Sequence, residues 1–389
     1  MIGAIRSIQP IRSIGRKPSA DDRIFTMVLA LAGIWTLFAL LSDSFLTPRN
    51  LSNLLVQTSV TAILAVGMLL VIVSGHIDLS VGSIVGLTGG IAAILQVWAG
   101  WPTAPAVVVT LLAGVAIGFL QGWWVAYRAV PAFIVTLGGM MAFRGALIGI
   151  TDGQTVAPLR RDFLAIGQSY LPEAVGWTLA AVCSAAAALF VWTSRRASIK
   201  NGFEPNPAVV DVGRSALYAA LFFGIAAVTN AYKGVPVPFL GVAVLAGLIA
   251  LLAGKSVFGR HVYAVGGNVE AARLSGIPVR RRVLAVFVLS GAAAALAGIL
   301  QAARLNAATI SSGTMYELDA IAACVIGGTS LMGGRGTVRG VLVGALVMAS
   351  LDNGMSILNV ESFWQQIVKG AILVLAVWLD RMRTKEVRA

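Results

Sequence analysis

Charge is scarce in this chain. Asp, Glu, Lys and Arg together make up 12% of its 389 residues, against about 25% in a soluble domain, so a water-facing surface could not be covered. Cysteine is nearly absent. Cys183 and Cys324 each lie inside an apolar run with no Cys or His at ligand spacing. That suggests no metal site or disulfide framework and reads as two small buried hydrophobes. The two histidines are far apart in sequence and no nucleophile–base pair accompanies them, so no catalytic residue is assigned. No basic-aromatic motif goes with the net charge of +13, which leaves nucleic acid without support as a partner.

Apolar residues are abundant, at 58%, and so is glycine, with 43 copies. Small residues let helices approach closely in lipid. The expected class is an all-α polytopic membrane protein. A crossing helix needs about 20 apolar residues, and twelve segments qualify or come close: 24–42, 51–73, 81–99, 103–125, 132–151, 175–193, 215–232, 236–253, 283–303, 318–331, 337–354 and 361–379. The first is too long for a signal-peptide core and no cleavage pattern follows it, so it reads as a retained span.

Charge placement supports the count. With both termini cytoplasmic, 22 of the 29 Lys and Arg fall on inside segments, counting Arg339 at the inner edge of the 337–354 span, as the positive-inside rule requires. Arg49, Arg160, Arg161, Lys233 and Arg304 fall outside, and Arg144 and Lys369 lie within spans. Merging any pair of spans would move the basic tail outside. The expected layout is a basic cytoplasmic N-terminus at 1–23, one transmembrane domain at 24–382 and a tail at 383–389. Two loops are long, 152–174 outside and 194–214 inside, and the second reads as a cytoplasmic connector. Segment 318–331 is short and ends at Gly327-Gly328. It is a half-helix or re-entrant element of the kind that marks transport sites, or a short tilted span.

Two phosphate-binding near-matches fail. "AGKS" at 253–256 has Ile249 where a P-loop needs Gly, and "GRGTVRG" at 334–340 has Arg339 where a dinucleotide fingerprint needs its third Gly. No strand precedes either. The chain is therefore expected to bind no ATP and to carry no cofactor of its own.

The inside segment 254–282 contains "NVEAARLSG". Residues 269–275 can form a short helix that Gly276 stops, lying along the membrane as a docking surface for a cytoplasmic partner. The bland alternative is a solvated basic turn. "VSGHIDLSVG" at 73–82 is an inside turn without Lys or Arg. There Gly75 can end one helix and Asp78 or Ser80 can cap the next.

"EAA" followed by Gly four residues later resembles the coupling motif of permease subunits in ATP-binding cassette importers. "SGHIDLSVGS" (74–83), "PAFIVTLGGMMAFRG" (131–145), "AVGGNVEAARLSGI" (264–277) and "YELDAIAACVIGGTSLMGGRGTVRG" (316–340) are similar, in this order along the chain, to strings of its monosaccharide permeases of the ribose/xylose/arabinose type. "WQQIVKGAIL" (364–373) extends the match. Three departures stand out: His76 replaces a usual Gly, Ala132 takes a second Pro position, and no Leu-Pro follows the coupling string. His76 is assigned no metal or proton-relay role. An insertion-like 152–235 with two extra spans gives a twelve-span layout similar to the xylose branch.

The resemblance implies a permease homodimer in a bacterial inner membrane. It implies an ATPase subunit on the cytoplasmic face that binds ATP and Mg, and a periplasmic sugar-binding protein. The coupling residues it implies are Asn268, Glu270, Ala271, Ala272, Arg273 and Gly276. The cargo expected is D-xylose, with ribose, arabinose or galactose as alternatives, and a stand-alone channel or secondary carrier as the rival class. A sugar path needs polar groups and aromatic faces near helix breaks. Its candidates are Asp78, Phe133, Thr136, Asn306, Glu317 and Asp319. Asp78 is also a possible cap, Thr136 can bond back within its helix, and Glu317 and Asp319 suit a helix N-terminus.

Overall fold

The computed structural model describes residues 20–204 and 207–385. Of the predicted terminal segments, 1–19 and 386–389 lie outside the described residues. Fifteen helices are described: α1 (Ala20–Leu41), α2 (Pro48–Val73), α3 (Val81–Val97), α4 (Thr103–Arg128), α5 (Ala132–Ile150), α6 (Arg161–Gln168), α7 (Glu173–Lys200), α8 (Ala208–Asn230), α9 (Val237–Lys255), α10 (Val257–Gly267), α11 (Val269–Leu274), α12 (Val279–Leu305), α13 (Tyr316–Ile326), α14 (Val338–Ile357) and α15 (Ser362–Lys385). One antiparallel strand pair, β1 (Tyr170–Leu171) and β2 (Val235–Pro236), ties α7 and α9 together at their starts.

Every one of the twelve apolar segments holds a helix. Eight of these helices are long and apolar enough to cross a membrane, and three shorter apolar helices lie at Thr26–Leu41, Val81–Val97 and Ser362–Trp378. The remaining segment is different. α13 has 11 residues, a rise of about 16 Å, roughly half of the ~30 Å hydrocarbon core. Gly327 ends it and Gly328 follows at φ +81°.

Two loop expectations need correction. The 194–214 segment is not a connector of that length. α7 continues to Lys200 and α8 begins at Ala208. Hydropathy marks only the lipid-crossing part of a helix, whereas "SRRASIK" is polar yet helix-compatible. Arg195 reaches Asp211 at 2.8 Å across the gap. Likewise 254–282 is mostly helical, as α10, α11 and the start of α12.

α2 and α12 form the centre. In the span windows, 89% of α2 and 67% of α12 are buried, against 11–28% for α4, α5, α7, α8 and α9. α12 packs on α2, α3 and α4, while α14 packs on α2 and α13. The peripheral helices turn Leu, Val, Phe and Trp outward, which fits lipid as solvent.

The α4–α12 crossing depends on glycine. A methyl added at Gly118 would meet the Phe287 carbonyl oxygen, and one at Gly291 would meet the Gly114 carbonyl oxygen. Gly291→Ala is expected to lower the thermal midpoint of the detergent-purified protein, the overpacking costing about 1–3 kcal/mol. Gly224→Ala in α8, with open space around it, should leave the midpoint unchanged. Equal behaviour of the two variants would disprove close packing at this crossing.

Candidate functional site

α2 ends in a turn built on Gly75. The Gly75 N–H bonds Ile72 O, the His76 N–H bonds Val71 O, and Gly75 takes φ +85°. That left-handed geometry suits glycine. The chain then turns into α3, whose N-cap is Ser80 without a side-chain cap bond. Asp78 is buried, at 1% exposure. Its Oδ1 accepts from the Ser80 N–H (2.9 Å) and the Ser80 hydroxyl (2.6 Å), and its Oδ2 accepts from Ser290 Oγ (3.3 Å). Gln121 Nε2 donates to Ser80 Oγ at 2.8 Å. Thr136, fully buried, donates to Ile77 O at 3.4 Å and back to Phe133 O at the same distance.

The turn is therefore a polar seam joining α4, α5 and α12. Ser290 lies eleven residues past Val279 along α12, about 16 Å from the helix start, so the seam lies within the bundle and not at its end. His76 is half-buried. Its Nδ1 lies 3.0 Å from Ser74 Oγ and its ring meets Phe287 edge-on at 6.0 Å.

A dry substitution tests the seam. Asp78→Leu leaves the Ser80 N–H and two hydroxyls without their acceptor, each orphaned group costing about 1–3 kcal/mol. Asp78→Asn keeps one acceptor oxygen and should lose far less. Thermal midpoints in detergent, read side by side, should follow that order.

From α12 the chain descends beside α3. Asn306 ends α12 at φ +56°, and its Oδ1 accepts the Leu159 N–H at 2.9 Å. Ala308 pairs with Val156. Arg144 of α5 donates through Nη1 to Ile310 O (2.8 Å) and Ser312 O (2.9 Å). Ser312 and Gly313 carbonyls press on Gly86 and Gly82, where any β-carbon would collide. Then α13 begins, with Glu317 in its first turn, buried beside Gly82. A cavity of about 380 Å³ opens here, lined by Ser83, Met140, Met141, Arg144, Thr314, Met315 and Glu317.

Asp319 points elsewhere. Its carboxylate lies 3.1 Å from Lys369 Nζ, and Lys369 is also 2.8 Å from Asp352. This acid–lysine–acid bridge joins α13, α14 and α15.

At the opposite end of the bundle from Asn306, Asn268 Oδ1 caps α11 by accepting the Ala271 N–H (3.0 Å). Arg273 pairs with Glu270 at 3.1 Å, both side chains more than half exposed. Ala272 is buried and fastens the helix, whereas Gly276 at φ +78° ends the segment as expected. The Tyr263 hydroxyl of α10 donates to Gly336 O at 2.8 Å, and burial pushes its phenol above the ordinary value. The Gly334 N–H bonds Val73 O at 2.8 Å. α10 and the end of α2 are thus joined to the 327–337 loop, which leads directly out of α13, and α11 packs on α10.

Of the six path candidates, Asp78 and Thr136 meet in the seam and Glu317 lines the adjoining cavity. Phe133 is 56% exposed on the outer side of α5. Asn306 stands apart, holding the 156–159 segment, and Asp319 belongs to the ion bridge. Gln121, Ser290 and Thr314 were not singled out from sequence, and Ser80 was named only as a cap candidate. Arg144 and Lys369 did carry a signal, since each is a charge inside an apolar span. Among the described residues no group of three or more His, Cys, Asp or Glu could hold a metal ion.

A family profile described as "Branched-chain amino acid transport system / permease component" matches residues 50–377. The xylose transport system permease protein XylH of Escherichia coli (strain K12) is 52% identical over 363 residues, 93% of this chain and 92% of that protein. The Haemophilus influenzae XylH is 48% identical over 95% and 98% of the two chains. The ribose import permease protein RbsC of Escherichia coli (strain K12) is 39% identical over 92% and 93%. No solved structure matches the chain.

Proposed function

The chain belongs to the permease-component family of branched-chain amino acid transport systems, and from that premise we propose that it is the membrane subunit of an ATP-driven D-xylose importer. Identity of about half, over nearly the whole length, to permeases named for xylose carries this reading. Ribose permeases stand further off, at 39%. The protein is a multi-pass inner-membrane transport subunit, not an enzyme. Twelve crossings with both termini cytoplasmic draw support from the basic bias of alternate loops and from eleven apolar helices, α13 making its crossing together with the 307–315 segment that leads into it. Residues 24–382 then form one permease domain, with 152–235 as its insertion.

In this orientation α10 and α11 face the cytoplasm. A separate ATPase that binds ATP and Mg docks on Asn268, Glu270, Ala271, Ala272, Arg273 and Gly276. A periplasmic protein delivers the sugar at the opposite end. There, Lys233 and Arg304 line a polar pocket of about 250 Å³ together with Gln57, Gln168 and Tyr170, a surface suited to an acidic side chain. ATP-driven movement of α11 passes through the Tyr263–Gly336 and Gly334–Val73 contacts to the 327–337 loop, and so to α13 and Glu317. A second copy of the chain covers the open side of the Arg144–Glu317 cavity, because a charge facing lipid at mid-membrane costs about 2.5–3.5 kcal/mol on insertion scales.

Vesicles test the reading. With the permease, its ATPase and the loaded binding protein together, uptake of labelled xylose should require ATP and should cease when any one component is omitted. ATP-independent uptake by the permease alone would identify a carrier or channel and overturn the proposal.

A further inference from the structure

Two opposite charges line the cavity between α3, α5 and α13, yet neither takes part in an ion pair among the described residues. Arg144 commits Nη1 to the carbonyls of Ile310 and Ser312, and its side chain lines the cavity. Glu317 has no side-chain partner among the described residues, and its carboxylate rests against Gly82, where only a residue without a β-carbon leaves room. An ionisable group within the membrane domain, outside any ion pair, is a functional site by default. The remaining polar wall is Ser83 and Thr314, and the apolar wall is three methionines, Met140, Met141 and Met315.

We infer that this cavity is the membrane-embedded recognition site for a vicinal diol of the transported sugar. Glu317 accepts hydrogen bonds from two adjacent hydroxyls, Arg144 donates to a neighbouring oxygen, and the flexible thioethers pack against the C–H face. The inference rests on the sugar-permease reading above. The chemistry matches at each wall. A carboxylate is acceptor-only and takes two O–H donors, a guanidinium is donor-only, and methionine adapts to irregular apolar shapes. The volume of about 380 Å³ holds a monosaccharide with several waters, each of which occupies about 30 Å³ in the liquid. The position is also apt. The site lies at the start of a half-helix whose other end leads to the 327–337 loop, so movement there would reshape the cavity.

The test uses vesicles holding the complete importer, with sugar-loaded binding protein at saturation, so that delivery does not limit the rate. Maximal uptake is measured for xylose and for its monodeoxy analogues, in wild type and in Glu317→Gln. The variant should move xylose about tenfold more slowly, the effect of one charged hydrogen bond. For the analogue lacking the partnered hydroxyl, variant and wild type should agree within about twofold. A purely structural role would slow every sugar equally, and a variant-to-wild-type ratio that is the same for xylose and all analogues would overturn the site. If Glu317→Gln does not assemble into a monodisperse complex, Thr314→Val at the exposed rim carries the same comparison with the same two outcomes. Wild-type vesicles that take up none of these sugars would instead count against the permease reading itself.

Discussion

Glu270→Arg is expected to abolish ATP-driven uptake while the protein still inserts, folds and purifies normally. The separation follows from where Glu270 lies. α11 is six residues long and is held by the Asn268 cap, by the buried Ala272 and by the Gly276 stop. Glu270 contributes only an exposed pair with Arg273, and such pairs stabilise by about 0–1 kcal/mol. Losing it cannot unfold a helical bundle of this size. What changes is the surface offered to a partner: one acid becomes a bulky cation beside Arg273 and an exposed Leu274. The measurement is paired. Melting of the isolated permease should shift little, and co-purification of the ATPase and uptake should both fail. Normal uptake by this variant would remove α11 from the coupling role proposed for it.

The second large effect is on stability. Lys369→Met is expected to destabilise the permease by about 3–5 kcal/mol, the range for removing one partner of a buried charge pair. Lys369 is 19% exposed and neutralises two acids, Asp319 and Asp352, on two different helices. Without it two carboxylates face each other inside the bundle. α15 has few other anchors, because much of its apolar surface is turned outward and its chief neighbour is α13. The triple variant Lys369→Met, Asp319→Asn, Asp352→Asn removes all three charges together and should regain most of the loss. Thermal midpoints of the two proteins decide the matter. If the triple variant is no more stable than the single one, uncompensated charge is not the cause.

Much of this architecture is legible in one dimension. Each apolar run became a helix because a chain in lipid must satisfy its backbone internally, and that demand is local. The shortness of α13 was readable too, from Gly327-Gly328. So was α11, since Gly276 stops the short helix expected over 269–275. Helix ends were less legible. α7 runs seven residues beyond its apolar stretch because polar residues continue a helix in water as readily as apolar ones do in lipid.

The site was legible only in pieces. Asp78 stood out as a carboxylate in an inside turn, and a turn at the membrane surface was the cheaper reading. The structure draws it inward to Ser290, 212 positions away, where three hydrogen bonds offset its burial. Arg144 and Glu317 are separated by more than 170 residues and share no periodicity, so nothing in the chain announces that they line one cavity. Lys369 announced itself as a charge in a span but did not say which acids it would meet.

By itself, then, the sequence determined the class, the number of apolar segments, the basic bias of alternate loops and the short helix α11, because these follow from hydropathy and short-range hydrogen bonding. Only the tertiary structure decided which buried polar groups answer one another. Glycines at Gly82, Gly86 and Gly118 let backbones approach until Glu317, Arg144 and Asp78 reach their places, and that closeness is a property of packed helices that no local stretch encodes.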